Sequence, residues 1–317
     1  MPAVTLRPLS SGKLAIWNSE SGIWNSYAHP TIRLLLGGII SVHVTAASLA
    51  ATAQVTGSAR TALATVEDVR TRRPVVDVGP DDFVVQEGAE AREVLSVRAA
   101  DYPVVLMIDS GAAADDLSAI RKASKRFLER LGSERPVAVG IFDGRARMLA
   151  GVDADRSALA RQLDELAATG AAAGSPHEAL ALAASTLAAT GAPFTSIVLL
   201  SAGASEDRDL DQDAVGPMSP RGAILHVVAH RSSRSQETSN SAASHADDGL
   251  RALAEQSRGQ FVTIYTAASF EAALDQLAER MTSELMIEYL VPKQSEATDV
   301  KLGVRLPGAR VRGLGVR

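Results

Sequence analysis

The chain predicts an α/β fold, a doubly wound and mainly parallel six-stranded sheet, with a small accessory β unit. Three observations carry this expectation. After Pro103, short apolar runs alternate with stretches of helical spacing, the rhythm of a parallel sheet covered on both faces. Apolar runs at 104–109, 136–142, 195–200, 223–229 and 260–265, with a further one at 146–150, supply six strands. On either side of that block, at 61–97 and 285–316, the pattern is short alternating segments without helical period.

In order along the chain, the segment 54–101 reads as an N-terminal β segment, with strand and turn signals at 64–69, 73–76, 81–88 and 94–97 broken by Pro, Gly and acidic pairs. Within 102–284, the strand at 104–109 leads into a helix opened by Asp115 and Asp116. Leu117, Ile120, Phe127, Leu128 and Leu131 form its buried stripe and Gly132 ends it. The strand at 136–142 is followed by a hairpin turn at Asp143-Gly144 and an antiparallel edge strand at 146–150. Two Ala- and Leu-rich helices follow at 156–168 and 176–189. Beyond the strands at 195–200 and 223–229 come a helix at 248–257 closed by Gly259, a strand at 260–265 and a helix at 269–282. The Ser-rich stretch 231–247 has almost no large apolar residue to offset its ordering entropy and predicts a mobile loop. The segment 285–317 alternates with period two in three strands and is expected to pair with 54–101, since neither set alone has enough strands to bury a face.

Composition removes several classes of function. The 317 residues are 46% apolar and 4% aromatic, enough for one large core and a smaller unit, with few rings on which to stack single-stranded nucleic acid. The net charge is −5 and no dense Lys/Arg block occurs, so the overall field repels phosphate backbones and nucleic acid is not expected as a partner. Cysteine is absent, which excludes disulfides, thiolate metal sites and cysteine nucleophiles but says little about compartment.

Compartment is read from the N-terminus. Arg33 precedes an apolar run at 34–50, and Ala51-Thr52-Ala53 puts small residues at the −3 and −1 positions of a cleavage point before Gln54. Residues 1–53 therefore read as a leader or signal peptide, and the mature chain as exported, periplasmic or extracellular. A retained anchor is the competing reading, because the run could just span a bilayer; its glycines, His43 and Thr45 weaken it. Membrane contact is expected only through this leader if it is uncleaved. Two copies of Ile-Trp-Asn-Ser, at 16–19 and 23–26, do not make a repeat architecture, and a start codon assigned too far upstream accounts for the leader's length.

Two strand ends hold the candidate site. Val104-Val-Leu-Met-Ile-Asp109-Ser-Gly-Ala-Ala113 ends an apolar strand on a carboxylate, and Ile197-Val-Leu-Leu-Ser201-Ala-Gly-Ala204 ends a second. Such strand ends are where an open α/β sheet presents a ligand site. Together they resemble a von Willebrand factor type A (VWA) domain. The resemblance implies a VWA/Rossmann-like fold and a Mg²⁺/Mn²⁺ site built from Asp-x-Ser-x-Ser after the first strand, a threonine on a middle loop and an aspartate after the later strand. Here those positions read Asp109, Gly111 and Ala113, a Gly174-Ser175 pair, and Ala202. One ligand of five survives, so the resemblance implies the fold with its metal chemistry lost. What remains is a vestigial rim of Asp109, Ser110, Gly111, Ala113, Gly174, Ser175 and Ala202, with no metal and no cofactor. Pro74-Val75 followed by Asp82-Phe83-Val84-Val85-Gln86-Glu87-Gly88 adds a more specific likeness. It resembles the "Pro-Val … Asp-Phe-x-Val-x-Glu-Gly" phrase of the strand-rich lead-in to the A domain in a bacterial group of exported VWA-related proteins.

The residues themselves agree. A hard divalent cation needs several oxygen ligands, and the set left here would be Asp109, Ser110, Ser175 and a loop carboxylate such as Glu206. Adjacent residues leaving a strand point to opposite faces, which separates Ser110 from Asp109 unless the loop turns sharply. Asp109 can instead accept N–H groups of its own turn or of the helix start near Ala113. Enzymatic readings each lack a part. Asp109-Ser-Gly111 resembles the nucleophile strand of haloacid dehalogenase-like phosphatases, but glycine stands where the second aspartate belongs. Gly170-Ala-Ala-Ala-Gly174-Ser175 lacks the P-loop lysine, and His177-Glu178 is not followed by a second histidine at metalloprotease spacing. His226 and His230 lack an identifiable third ligand and read as satisfied or solvated histidines. The function expected is therefore protein interaction of the adhesion type, through loops at the sheet's C-terminal rim and without catalysis. A structural part in an envelope assembly, or weak Mg²⁺-dependent ligand binding, are the alternatives.

Overall fold

The computed structural model describes residues 6–8, 14–17, 24–26, 57–169, 175–202, 223–231, 242–292 and 299–317. The chain divides into two units, Met1–Ala53 and Gln54–Arg317. In the first, three short strands, β1 (Leu6–Pro8), β2 (Leu14–Trp17) and β3 (Trp24–Ser26), form an antiparallel sheet in that order. The apolar run at 34–50 and the expected cleavage point before Gln54 lie outside the described residues.

The second unit opens with β4 (Gly57–Asp68), a 3-10 turn at Pro80–Asp82, and β5 (Phe83–Glu87), β6 (Glu90–Arg92) and β7 (Val94–Ala99). The α/β body follows as β8 (Val104–Asp109), α1 (Ala114–Leu131), β9 (Val137–Phe142), β10 (Ala146–Ala150), α2 (Arg156–Glu165), α3 (Pro176–Ala188) and β11 (Thr195–Ser201). It continues with β12 (Ala223–His230), α4 (Ala242–Gln256), β13 (Gln260–Ile264) and α5 (Ser269–Thr282), and β14 (Glu284–Pro292), β15 (Val300–Val304) and β16 (Ala309–Val316) end the chain.

The body's sheet has the order β10-β9-β8-β11-β12-β13, parallel throughout except for β10. The fold class expected from the sequence is the one observed. From β8 the chain winds outward to β9 and β10, then returns to lay β11, β12 and β13 on β8's other side. The order therefore reverses between β8 and β11, which makes that boundary the topological switch point. Every residue of β8, β9, β11 and β12 is buried. Alternate side chains feed two apolar clusters. Leu106 and Ile108 join Ile120 and Phe127 of α1 and Phe270 and Leu277 of α5, while Val105 and Met107 join Ala183 and Leu187 of α3 and Leu250 of α4. The stripe read for α1 is buried, and Gly132 at φ 80° ends the helix in a conformation that suits glycine. The absence of a side chain at Gly259 lets the end of α4 approach β12, since a Cβ there would lie 1.7 Å from the Leu225 carbonyl oxygen.

The accessory part consists of two antiparallel sheets, β16-β4-β14-β7 and β15-β5-β6. They share one apolar cluster that includes Ala62, Ala64, Val66, Phe83, Val85, Ile287 and Tyr289. The segment 73–76 contributes only a bridge from Pro74 to Glu67, β6 was not read, and three further elements differ from the sequence reading. β4 is a single twelve-residue strand despite its Gly, Ser and Ala content, because it is flanked by β14 and β16 and pairing on both edges outweighs intrinsic propensity. Helix α2 stops at Glu165, short of 168. Helix α4 begins at Ala242, inside the stretch expected as a loop; Arg231 meets Asp247 at 2.8 Å there, and 232–241 lie outside the described residues. Among the described residues no helix is long and apolar enough to cross a membrane.

Candidate functional site

Because β8 is central, its last residue emerges between the ends of β9 and β11. Asp109 pairs in register with Phe142, and Ile108 with Leu200. The Asp109 side chain is 2% exposed. Its Oδ1 accepts the N–H of Gly111 at 3.1 Å and its Oδ2 accepts the N–H of Ala202, also at 3.1 Å. One carboxylate thus ties its own turn to the loop after β11 across the switch point. An ionised carboxylate is an acceptor-only group, and two amide donors suit it.

Ser110 is fully buried and turns toward β9. Its N–H donates to the Phe142 carbonyl at 3.1 Å, and its hydroxyl donates to Asp143 Oδ2 at 2.9 Å. Its carbonyl accepts both the N–H and the hydroxyl of Thr169, each at 3.3 Å. Asp143 also faces Arg147 at 3.4 Å. Gly111 and Ala202 are half-buried, and Ala113 is exposed at the start of α1, where it provides no side-chain cap. Asp115 and Asp116 stand in that helix's first turn, on the side the helix dipole favours. Ser175 is the N-cap of α3, its hydroxyl oxygen accepting the Glu178 N–H at 3.3 Å. Gly174 and Glu206 lie outside the described residues.

The structure brings Asp109, Ser110, Gly111 and Ala202 together and adds two residues that the sequence reading did not select. Asp143 had been read only as a hairpin turn. Its position at the end of the strand beside β8 was the available signal, since neighbouring strand ends share a rim. Thr169 lies on the loop between α2 and α3, where the resemblance asks for a threonine; the sequence reading placed that position at Gly174-Ser175 instead.

Other buried polar groups lie inside β12, at its C-terminal end and where the body joins the β sheets. His226 is 1% exposed, and among the described residues neither ring nitrogen has a hydrogen-bond partner. Burial, with the Arg280 charge second, lowers its pKa to about 3 and holds the ring neutral. His230 Nδ1 is 3.4 Å from Asp116 Oδ2, and its ring meets Phe270 edge-on. Where the body joins the β sheets, the Tyr102 hydroxyl donates to Glu284 Oε2, and the Arg135 guanidinium lies 4.7 Å over the Tyr102 ring. Arg135 Nη2 donates to the carbonyls of Ala100 and, at 3.0 Å, Met281. Burial pushes the Glu284 carboxyl up to about 7 and the Tyr102 phenol well above its ordinary value. Among the described residues, no group of three or more His, Asp or Glu side chains is gathered closely enough to hold a metal ion.

No family model matches the chain, and a comparison with curated proteins gives no match. Solved structures do match it. A von Willebrand factor type A protein from Catenulispora acidiphila is 14% identical, with 77% of this chain and 74% of that one covered and a TM-score of 0.47. Proximal thread matrix protein 1 from the mussel byssus is 9% identical, and the match takes in 58% of this chain but only 49% of the mussel protein, with a TM-score of 0.47. The von Willebrand factor domain of the type V pili tip protein Mfa5 from Porphyromonas gingivalis is 14% identical, with 58% and 96% covered and a TM-score of 0.43. The chain's own strand order, its antiparallel edge strand β10 and the helices on both faces make the body a VWA-like α/β fold.

Proposed function

We propose that the α/β body is a non-enzymatic, adhesion-type protein-recognition module that works from the C-terminal rim of its sheet, and that its metal-ion-dependent adhesion site is degenerate. The observation that supports this most is the engagement of Asp109, whose two carboxylate oxygens each hold a backbone N–H. Magnesium demands a near-octahedral shell of oxygen ligands. Gly111, Ala113 and Ala202 bring no side-chain oxygen, the Ser110 hydroxyl is given to Asp143, which also faces Arg147, the Thr169 hydroxyl is given to the Ser110 carbonyl, and the Ser175 hydroxyl caps α3. This donor set does not fit a resident cation. Recognition then rests on loop shape and ordinary polar contacts, for which a rim of loops on a rigid sheet is well suited.

A non-enzymatic reading has separate support. A nucleophile needs an activating base within hydrogen-bond reach, whereas Asp109 is committed to amides and His226 is buried and neutral. With this reading go residues 1–53 as a leader cleaved before Gln54, and a division into 54–101, 102–284 and 285–317. Calorimetry with Mg²⁺ and Mn²⁺ tests the site: no saturable heat is expected, and saturable heat abolished by Asp109→Ala overturns the degenerate reading. Mass spectrometry of the exported chain tests the leader, with Gln54 expected as the first residue.

A further inference from the structure

At the end of the sheet opposite Asp109, where β13 begins at Gln260, a cleft of about 300 Å³ opens between the body and the β sheets. Four guanidinium groups line it, from Arg72, Arg280, Arg310 and Arg312, and Glu67 is the one carboxylate among its described lining residues. The strand register explains part of this. On β16, Arg310 stands opposite Glu67 and Arg312 opposite Thr65, and residues two apart share a face. Arg72 comes from the turn after β4, at φ 59°, a conformation uncommon for a residue with a side chain. That turn is held by Asp68, whose Oδ1 accepts the N–H groups of Arg70 and Thr71 at 3.0 and 2.6 Å.

The charges in the cleft do not balance. Glu67 Oε1 serves both Arg310 and, at 4.0 Å, Arg72. Arg280 is only 14% exposed along its side chain, donates to the Arg258 carbonyl at 2.8 Å, and lies 3.9 Å from the buried Glu284 Oε1. Arg312 is exposed, and among the described residues no carboxylate lies within ion-pair distance of it. Burial holds the Arg280 guanidinium below its ordinary value; Glu284 opposes that effect and the like charge of Arg312 adds to it. Four positive groups against one lining carboxylate stand out on a chain whose net charge is −5. Converging like charges in a recess raise the local potential and concentrate a counter-ion there. Guanidinium forks match the paired oxygens of a phosphate, and such bonds are the strong, charge-assisted kind.

We infer that this cleft binds a small, multiply charged anion carrying phosphate oxygens, of about the size of pyrophosphate, held by Arg72, Arg280, Arg310 and Arg312. The site is independent of the rim and of any partner bound there. A cleft of this volume has room for one compact anion.

Calorimetric titration of sodium pyrophosphate into the full chain at low ionic strength tests the inference. One saturable site is expected, weakened by added salt. Arg312→Ala is expected to weaken it at least tenfold with an unchanged circular-dichroism melting curve, while Lys122→Ala, which removes an exposed charge on α1, leaves it intact. Arg72→Asn gives a second variant whose side chain tolerates the same backbone conformation. Absence of saturable heat overturns the inference. So does an equal loss in Lys122→Ala, which would mean non-specific attraction. Citrate binding as tightly as pyrophosphate overturns the assignment to phosphate oxygens.

Discussion

Asp109 and Glu284 are both buried carboxylates in the same unit, 2% and 0% exposed, and the fold treats them in opposite ways. Asp109 sits at a strand end and is met by backbone N–H groups from two loops, donors that a rim supplies without any side chain. Glu284 sits where the chain leaves the body for β14, and is met by side chains: the Tyr102 hydroxyl, Arg280 at 3.9 Å and the charge of Arg135. One arrangement fixes loop geometry with local, neutral donors. The other fastens two parts of the fold through charges taken out of water, where removal of a partner is costly.

The sharpest break in this comparison is Arg135→Met. Arg135 is 4% exposed and joins the Ala100 and Met281 carbonyls on the two segments that cross between the body and the β sheets. Its loss strips those carbonyls of a donor and Glu284 of a nearby positive charge. Urea unfolding at pH 7 is expected to show a loss of about 1–3 kcal/mol, the cost of buried acceptors left without a donor. A loss under about 1 kcal/mol would mean that the joint does not depend on the guanidinium.

The next largest effect is in pH dependence. The folded value of Glu284, about 7, lies above the 4.5 of an ordinary glutamate. The folded chain therefore keeps a proton that the unfolded chain releases, and the stability this contributes is complete below about 4.5 and lost as pH rises through 7. His226 runs the other way. Its folded value, about 3, lies below 6.5, so its contribution is complete above 6.5 and is lost as pH falls toward 3. Between about 4.5 and 6.5 the two slopes oppose each other. Glu284→Gln leaves only the histidine slope, and stability should fall on acidification. His226→Leu leaves only the glutamate slope, and stability should rise on acidification from 7 to 4.5. Each slope is at most about 1.4 kcal/mol per pH unit, read from urea midpoints across the window.

The comparison also marks what the sequence could disclose. The strands β8, β9, β11 and β12 were legible because both-sided burial writes continuous apolar runs, and α1 because one-sided burial writes a stripe at helical spacing. Asp109 was legible because a carboxylate closing an apolar run is conspicuous, and its amide-held state was one of the readings open at that point. The joint was not legible. Tyr102, Arg135 and Glu284 are far apart in sequence, each ordinary in its own surroundings, and only the crossing of two segments makes them neighbours. The arginine cleft was hidden for the same reason: the β4–β16 pairing places Arg312 near the turn that carries Arg72, Arg280 joins them from the end of α5, and no local run of basic residues announces it. Strand β4 was underestimated because its stability comes from two partners that sequence periodicity does not reveal.

Asp109→Ala tests the amide-held side of the comparison. It leaves the Gly111 and Ala202 N–H groups without their acceptor, a cost of about 1–3 kcal/mol for unsatisfied donors. Asp109→Asn keeps one carbonyl acceptor and is expected to recover part of that loss. Chemical unfolding of both variants, with and without Mg²⁺, should show the same ranking in either condition. A magnesium-dependent gain confined to the native chain would transfer Asp109 from loop fastening to cation binding.

The smallest expected effect concerns Ser175, which tests whether the middle loop works through its helix cap. The hydroxyl oxygen accepts the Glu178 N–H at 3.3 Å, and Pro176 fills the first helical position, so the start of α3 combines a capping oxygen with a residue that lacks an N–H. Replacement by alanine removes the acceptor and leaves one first-turn N–H to water, at a cost of about 1 kcal/mol. Replacement by aspartate keeps an acceptor and places negative charge at the helix start, so it should restore stability or exceed it. The two substitutions separate the roles. If Ser175 is a cap, aspartate rescues stability and neither variant changes the calorimetric response to Mg²⁺. If the aspartate variant gains saturable Mg²⁺ heat that Asp109→Ala removes, the middle loop reaches the rim as a ligand, and Asp109 can be recruited to a cation by a single added carboxylate.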